Sequence, residues 1–318
     1  MKAPDFWQTG GALAALLSPF GALYALAGRM RARMVQPYAA PVPVICVGNL
    51  TLGGTGKTPV AIDIIKRLKA RDVAVHAVTR GYGGSEVGPH HINLREDGPK
   101  RVGDEPLLLA AHAPTWVARD RAAGIRAAVA AGAQVVVTDD GFQNPGFAKM
   151  LSLIVVDGGA GFGNGRVFPA GPLREPVAQG LSRADAVIVM GEGAAPAFDG
   201  PALHAGLVPR TSGMSYDGLR VFAFAGIGRP EKFFDTLRGM GAEVVDSEGF
   251  PDHHAYTGTM INRLIDRAEV QGLTPVTTEK DMVKMPPSTR GRIWPLPVSV
   301  EWDDEGAVEA LLDSLPRT

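Results

Sequence analysis

Apolar residues gather along this chain into short blocks separated by glycine- and proline-rich turns. Near-continuous apolar runs at 42–47, 73–79, 134–138, 151–156 and 186–190 have the length and β-branched content of buried strands. Between them, 58–70, 105–113 and 119–132 read as helices, with Pro59 tolerated in the first turn of its helix, and 115–118 reads as extended. Strands alternating with helices predict a mostly parallel sheet covered on both faces. Around 203–216 the pattern loosens, and a second strand–helix–strand series begins at 219–225, 231–238 and 243–246. The boundary between two α/β units is therefore placed near residue 210.

The start of the chain follows a different pattern. Residues 6–28 carry no charge, and Arg29, Arg31 and Arg33 follow at once. Leu13, Leu16, Leu17, Phe20, Leu23, Tyr24 and Ala27 fall on one helical stripe, whereas the opposite face is Ala, Gly and Ser. Four placements are open. A spanning helix needs about 20 apolar residues, which the length just meets, but Gln8, several glycines and Pro19 weigh against it. A secretory signal could use Ala25-Leu26-Ala27 for cleavage, but Asp5 sits where positive charge is wanted. The helix could pack on the protein's own core. The reading taken forward is a helix lying in a membrane interface, its stripe in lipid and its arginines on anionic headgroups.

Composition narrows the function classes. A chain of 318 residues suggests about two domains, and 45% hydrophobic with 20% charged residues is the balance of a globular protein. A net charge of -1 carries no polyanion footprint, so no nucleic-acid partner is expected. The single cysteine, Cys46, excludes an intrachain disulfide and lies in an apolar run, as a buried structural thiol does. The histidines show no metal-ligand spacing.

The strongest local signal is the segment Thr51, Leu52, Gly53, Gly54, Thr55, Gly56, Lys57 and Thr58, lying between a predicted strand and a predicted helix. Its glycines let backbone N–H groups curl round phosphate oxygens, and the helix N-terminus adds its positive dipole end. Lys57 would reach the β- and γ-phosphates of ATP, and the Thr58 hydroxyl would ligate Mg2+. Thr51 stands where the usual pattern begins with glycine. A second glycine-rich stretch, 158–165, lacks the spacing of a dinucleotide fingerprint and is expected to be a mobile loop near the site.

Two acidic pairs complete the candidate chemistry. The run 134–138 leads into Asp139-Asp140, and a carboxylate at the C-terminal end of a core strand sits where α/β folds bind ligands. One of the pair is placed to hold Mg2+, and strand alternation would send the other elsewhere. The competing reading is that these are helix-capping or turn aspartates. Asp104-Glu105 is the second pair. Asp104 could cap the following helix, or accept the proton of an attacking hydroxyl.

The residues then resemble a known family. The run Val47-Gly48-Asn49-Leu50-Thr51-Leu52-Gly53-Gly54-Thr55-Gly56-Lys57-Thr58-Pro59 is similar to the loop of the tetraacyldisaccharide 4'-kinases of Gram-negative bacteria. The resemblance continues in order through Thr79-Arg80-Gly81-Tyr82-Gly83, Gly103-Asp104-Glu105-Pro106, Asp139-Asp140-Gly141-Phe142-Gln143 and Pro172-Leu173-Arg174-Glu175-Pro176. It ends with Phe250-Pro251-Asp252-His253-His254 and Thr278-Glu279-Lys280-Asp281. It implies transfer of the ATP γ-phosphate to the 4'-hydroxyl of a tetraacylated glucosamine disaccharide 1-phosphate in lipid A biosynthesis. It also implies work at the cytoplasmic face of the bacterial inner membrane. The implied fold is α/β, with a P-loop NTPase-like, mostly parallel sheet, a second smaller α/β domain and an N-terminal membrane-associated helix. On this chain the parts are expected at 36–210, 211–318 and 1–35 respectively. Carried over by motif, Asp104 would be the catalytic base, His253 its partner, and Lys57 a catalytic cation. Thr58 and Asp139 would lie near Mg2+. Tyr82, Glu105, Arg121, Asp140 and Gln143 would line the site. The choice of His253 over His254 rests on the family pattern, and oligomeric state is not legible.

The physical reading agrees, because an acylated sugar stays in the bilayer while ATP stays in water. An enzyme joining them needs an interfacial anchor beside a cleft with basic groups, for which Arg80 and Arg174 are candidates. Two rivals remain at this level. A nucleotide-switch ATPase would carry a lysine at the position of Leu52. A nucleotide-binding membrane scaffold would have no use for the two acidic pairs.

Overall fold

A computed structural model describes residues 4–210, 215–228, 230–251 and 254–316. The helices are α1 Phe6–Thr9, α2 Ala12–Met34, α3 Lys57–Ala70, α4 Pro99–Val102, α5 Asp104–Ala110, α6 Arg121–Ala130, α7 Val177–Leu181, α8 Pro230–Gly239, α9 Gly258–Val270, α10 Glu279–Met282, α11 Pro287–Arg290 and α12 Glu305–Asp313. The strands are β1 Val44–Gly48, β2 Val75–Thr79, β3 His90–His91, β4 Thr115–Val117, β5 Val135–Asp139, β6 Leu151–Asp157, β7 Ala186–Met190, β8 Ala202–Pro209, β9 Arg220–Ala225, β10 Glu243–Gly249, β11 Thr274–Thr278, β12 Trp294–Leu296 and β13 Val298–Trp302.

Among the described residues the strands form two sheets. The larger runs β13-β8-β7-β6-β1-β5-β2-β4-β3 and is parallel except at its two ends, where β13 and β3 are antiparallel. Strands β1, β2, β5 and β7 are buried along their whole length, which explains why their sequences are continuous in hydrophobicity rather than alternating. Both faces are covered. On one face Val60, Ile64, Ile65 and Leu68 of α3 pack over β1 and β5. On the other, Ile125 and Ala128 of α6 pack beside Val78 and Val136, and Cys46 is buried with Phe142 and Leu173. Asp120 caps α6 by accepting the N–H of Ala123. The smaller sheet, β10-β9-β11-β12, is fully parallel, with α8 on one face and α9 on the other.

The end of the chain departs from the expected division. Residues 298–316 do not stay with the smaller unit expected over 211–318. Strand β13 pairs with β8 in the larger sheet, and Val300, Trp302, Val308 and Leu312 join its core. The Trp302 indole donates to Asp63 of α3 at 2.9 Å, and Arg67 bridges to Glu305 and Glu309 of α12, each at 2.6 Å. This return is a pairing across about ninety residues of chain, which no local pattern announces.

Helix α2 is long and apolar enough to cross a membrane by length and composition. Its small residues Ala14, Gly21 and Ala25 face the protein, whereas Leu13, Leu16, Phe20, Leu23 and Tyr24 of the predicted stripe are exposed. Tyr24 packs edge-on against Phe168, and Arg166 reaches the Ser18 hydroxyl. The glycine-rich stretch 158–165 was expected as a mobile loop near the site. It instead seats α1: the Asn164 N–H donates to the Trp7 carbonyl at 2.7 Å and its amide to the Phe6 carbonyl at 2.9 Å.

Candidate active site

The loop between β1 and α3 lies at the C-terminal edge of the larger sheet. Gly56 precedes the helix with φ 88°, a left-handed turn that favours glycine and directs Lys57 and Thr58 to the start of α3. The loop is held from outside by residues 172–174: Leu52 donates its N–H to the Pro172 carbonyl and Arg174 donates its N–H to the Leu50 carbonyl, both at 2.7 Å. From inside, the Asn49 amide reaches the Thr51 hydroxyl and the Gly53 carbonyl, each at 3.4 Å. Gly53 and Gly54 face open space, while Thr55 is buried with its hydroxyl unpartnered.

Strand β5 neighbours β1 in parallel, so its last residue, Asp139, arrives beside α3. The Thr58 hydroxyl donates to Asp139 Oδ2 at 2.8 Å, and Asp139 Oδ1 is buried with no partner. Burial is the main cause that pushes the Asp139 carboxyl up to about 7, and the nearby Glu105 charge pushes in the same direction. Strand alternation was expected to separate the two aspartates. The separation instead comes from a left-handed turn at Asp140, φ 55°. The Asp140 carboxylate accepts from Arg174 at 2.8 Å and lies 4.0 Å from Lys57 Nζ. Burial would raise its pKa, but Lys57 and Arg174 outweigh that and hold it below the usual carboxylate range.

Arg121 at the start of α6 is almost fully buried. It donates to the Ala118 carbonyl at 2.8 Å, and its Nε has no partner. Burial lowers its pKa to about 10, against the pull of the Asp140 charge. Asp104 is buried and Glu105 half-buried at the start of α5. Asp104 is the first residue of that helix, and the cap position belongs to Gly103, which makes no side-chain cap. The Tyr82 carbonyl abuts Gly103, leaving the Tyr82 ring exposed at the rim. Gln143, expected to line the site, is half-buried beside the start of the loop. Its amide donates to the Asn49 carbonyl at 2.9 Å and to Glu175 at 3.1 Å, and Glu175 is also paired with Arg183. His253 lies outside the described residues. His254 stacks on Phe250 at 4.7 Å.

Asn49 and Glu175 are thus parts of the site that motif reading left without a role, and Arg174, expected as a basic group of the cleft, is paired with Asp140. The block 172–176 was visible in the sequence, but its folding back onto the loop depends on bridges such as Thr51 to Leu173. The donor set fits a hard cation: a hydroxyl beside a carboxylate, with one buried carboxylate oxygen still unpaired, suits Mg2+. A lysine, open glycine backbone and a helix N-terminus together suit a polyphosphate.

Comparisons with known proteins agree with this geometry. Residues 13–316 match the family model described as Tetraacyldisaccharide-1-P 4'-kinase. The chain is 53% identical to the tetraacyldisaccharide 4'-kinase of Rhodospirillum centenum over 326 residues, covering 99% of this chain and 97% of the relative. It is 51% identical to that of Dinoroseobacter shibae over 329 residues, covering 99% and 98%. A crystal structure of the "apo" form of LpxK from Aquifex aeolicus in complex with ATP superposes with a TM-score of 0.79 at 26% identity, covering 95% of this chain and 99% of that one.

Proposed function

The chain belongs to the tetraacyldisaccharide-1-P 4'-kinase family, and from that premise we propose how its residues divide the work of phosphoryl transfer. It is an ATP-dependent kinase that moves the γ-phosphate of ATP to the 4'-hydroxyl of a tetraacyl disaccharide 1-phosphate in lipid A biosynthesis. The backbone of 53–58 cradles the phosphates, and Lys57 exchanges its Asp140 neighbour for the β- and γ-phosphate oxygens. Thr58 and Asp139 hold Mg2+, which when bound neutralises charge developing on the transferred group. Asp104 accepts the proton of the 4'-hydroxyl as its oxygen attacks phosphorus and ADP departs. Its main work is orientation, since phosphoryl transfer asks little covalent help of the protein. His253 partners it in this reading. Arg121 and Glu105 set the charge balance around Asp139, and Arg174 restrains Asp140. The single observation that carries this division is the 2.8 Å contact of Thr58 with Asp139, next to Lys57, with the second carboxylate oxygen unpaired.

The exposed stripe of α2, followed by Arg29, Arg31 and Arg33, supports docking on the cytoplasmic face of the inner membrane. Paired Leu16→Glu and Phe20→Glu replacements are expected to weaken binding to anionic vesicles at least about tenfold. Unchanged binding would remove the stripe from the membrane.

Transfer of labelled γ-phosphate to a tetraacyl disaccharide 1-phosphate tests the chemistry. Lys57→Ala should abolish transfer. Asp104→Ala should cut turnover roughly a thousandfold while ATP affinity stays within a few-fold. Equal losses of turnover and affinity would sink the base assignment, and ATP turnover indifferent to the lipid acceptor would sink the kinase reading.

A further inference from the structure

A second buried charge cluster lies outside the phosphate site. Asp281 of α10 and Lys284, just beyond it, form an ion pair at 2.6 Å with side-chain exposures of 0% and 3%. Two charges this deep are costly to desolvate, and apolar side chains of similar volume pack as well, so the pair invites a reason beyond packing. The geometry shows what it grips. Gly226, directly after β9, donates its N–H to Asp281 Oδ2 at 2.9 Å and accepts at its carbonyl from Lys284 Nζ at 3.3 Å. The Thr278 hydroxyl donates to the same Asp281 oxygen at 2.7 Å. A Cβ on Gly226 would lie 2.9 Å from the Tyr256 hydroxyl and 3.2 Å from His254 Cβ, so His254 and Tyr256 close directly on this residue. Phe250, His254 and Tyr256 pack on one another, their centroids 4.7 to 5.4 Å apart.

The same short segment also meets the larger sheet. Helix α10 packs on α5, whose first residue is Asp104, and Val283 packs against the cluster containing Val102 and Leu107. Glu279 accepts the N–H of Val298 at 3.1 Å, where the chain re-enters the larger sheet as β13.

We propose that Asp281 and Lys284 are positioning residues for transfer. They hold Phe250, His254 and Tyr256 of the smaller sheet in register with α5, so that this aromatic group and Asp104 meet the acceptor sugar in one fixed geometry. This rests on the reading of Asp104 as proton acceptor. The pair acts through Gly226 and α5, not on the nucleotide.

The test replaces both charges together, Asp281→Asn with Lys284→Met, so that neither is left buried alone. Turnover is counted per nucleotide-binding site, which removes any misfolded fraction from the comparison. The expected result is ATP affinity within about threefold of the parent and kcat lower by roughly thirtyfold or more. In an Asp104→Asn background the same paired replacement should cost less than about threefold further, because both changes disable one unit. Asp281→Glu and Lys284→Arg keep the charges but displace the grip. They should lower kcat per binding site in the same direction, which covers the case of a paired variant that does not fold. Wild-type kcat in the displaced variants, or ATP affinity falling in step with kcat, overturns the proposal. A full multiplicative loss on a crippled Asp104→Asn background overturns the coupling alone. Normal turnover by Asp104→Asn itself overturns the base assignment and the coupling with it.

Discussion

Each sheet buries an aspartate at or just past the C-terminal end of an inner strand, and the two differ in what neutralises them. Asp281, three residues beyond β11, accepts the Gly226 N–H and the Thr278 hydroxyl at Oδ2, and its Oδ1, which accepts no hydrogen bond, is neutralised by the Lys284 ammonium as an ion pair at 2.6 Å. Asp139, the last residue of β5, receives only the Thr58 hydroxyl, and its second oxygen is unpaired. Buried polar groups are normally partnered, so the incomplete carboxylate is the one that something else must complete. The difference separates a group that binds from a group that holds. It also explains why the larger sheet's cluster is costly on its own: its components are arranged for a polyanion and a dication.

The sharpest way to break this contrast is Asp139→Asn. Transfer should fall at least about a thousandfold, near 4 kcal/mol of barrier, because the amide is a poor ligand for a hard cation. Near-normal transfer in the presence of Mg2+ would remove Asp139 from the groups that bind the metal. The reciprocal change, Asp281→Asn, leaves Lys284 buried without its anion and should cost about 3–5 kcal/mol of folding stability by denaturant titration. A loss below about 1 kcal/mol would show that the pair is not buried in solution as it is in the structure.

Stability against pH separates the two aspartates further. The folded-state value of Asp139, about 7, lies above its ordinary 3.8. A carboxyl raised in this way favours the folded state at low pH, and ligand-free protein loses that contribution as pH climbs from about 4 to about 7. Asp139→Asn should abolish this pH dependence and stabilise the ligand-free protein at pH 8 by roughly 2–4 kcal/mol, even as it destroys activity. A destabilised variant at pH 8 would mean that the unpaired oxygen is satisfied in solution.

Much of this was legible in the sequence, for reasons that are local. Continuous apolar runs became β1, β2, β5 and β7 because a sheet covered on both faces needs no polar side. Glycines ahead of Lys57-Thr58 gave the loop, and the run into Asp139 put a carboxylate at a strand end. What was not legible depends on distant partners. The return of β13 to β8, the seating of α1 by 158–165 and the folding of 172–174 onto the loop are made by hydrogen bonds across long stretches of chain. Gln143 shows the same limit. Its place in a motif suggested a role facing substrate, whereas its amide turns back to the Asn49 carbonyl. In α2 the stripe was visible, but only the packing of Ala14, Gly21 and Ala25 reveals which face the protein keeps.

The smallest expected effect tests whether the contrast belongs to the two sheets or to satisfaction itself. Glu175 lies in the catalytic sheet's own neighbourhood and is buried, yet it is saturated, accepting from Gln143 and paired with Arg183. If location decided function, neutralising it would damage transfer as Asp139→Asn does. If satisfaction decides, Glu175 is a holder, and Glu175→Gln should cost only about 1 kcal/mol of stability, because Arg183 is partly exposed and water replaces the lost charge partner. Transfer should then stay within about fivefold of the parent, the residual loss coming through the Gln143 grip on Asn49 and appearing as weaker ATP binding rather than slower turnover. A thousandfold fall in kcat at unchanged ATP affinity would place Glu175 with the reacting groups and dissolve the distinction between filled and unfilled carboxylates.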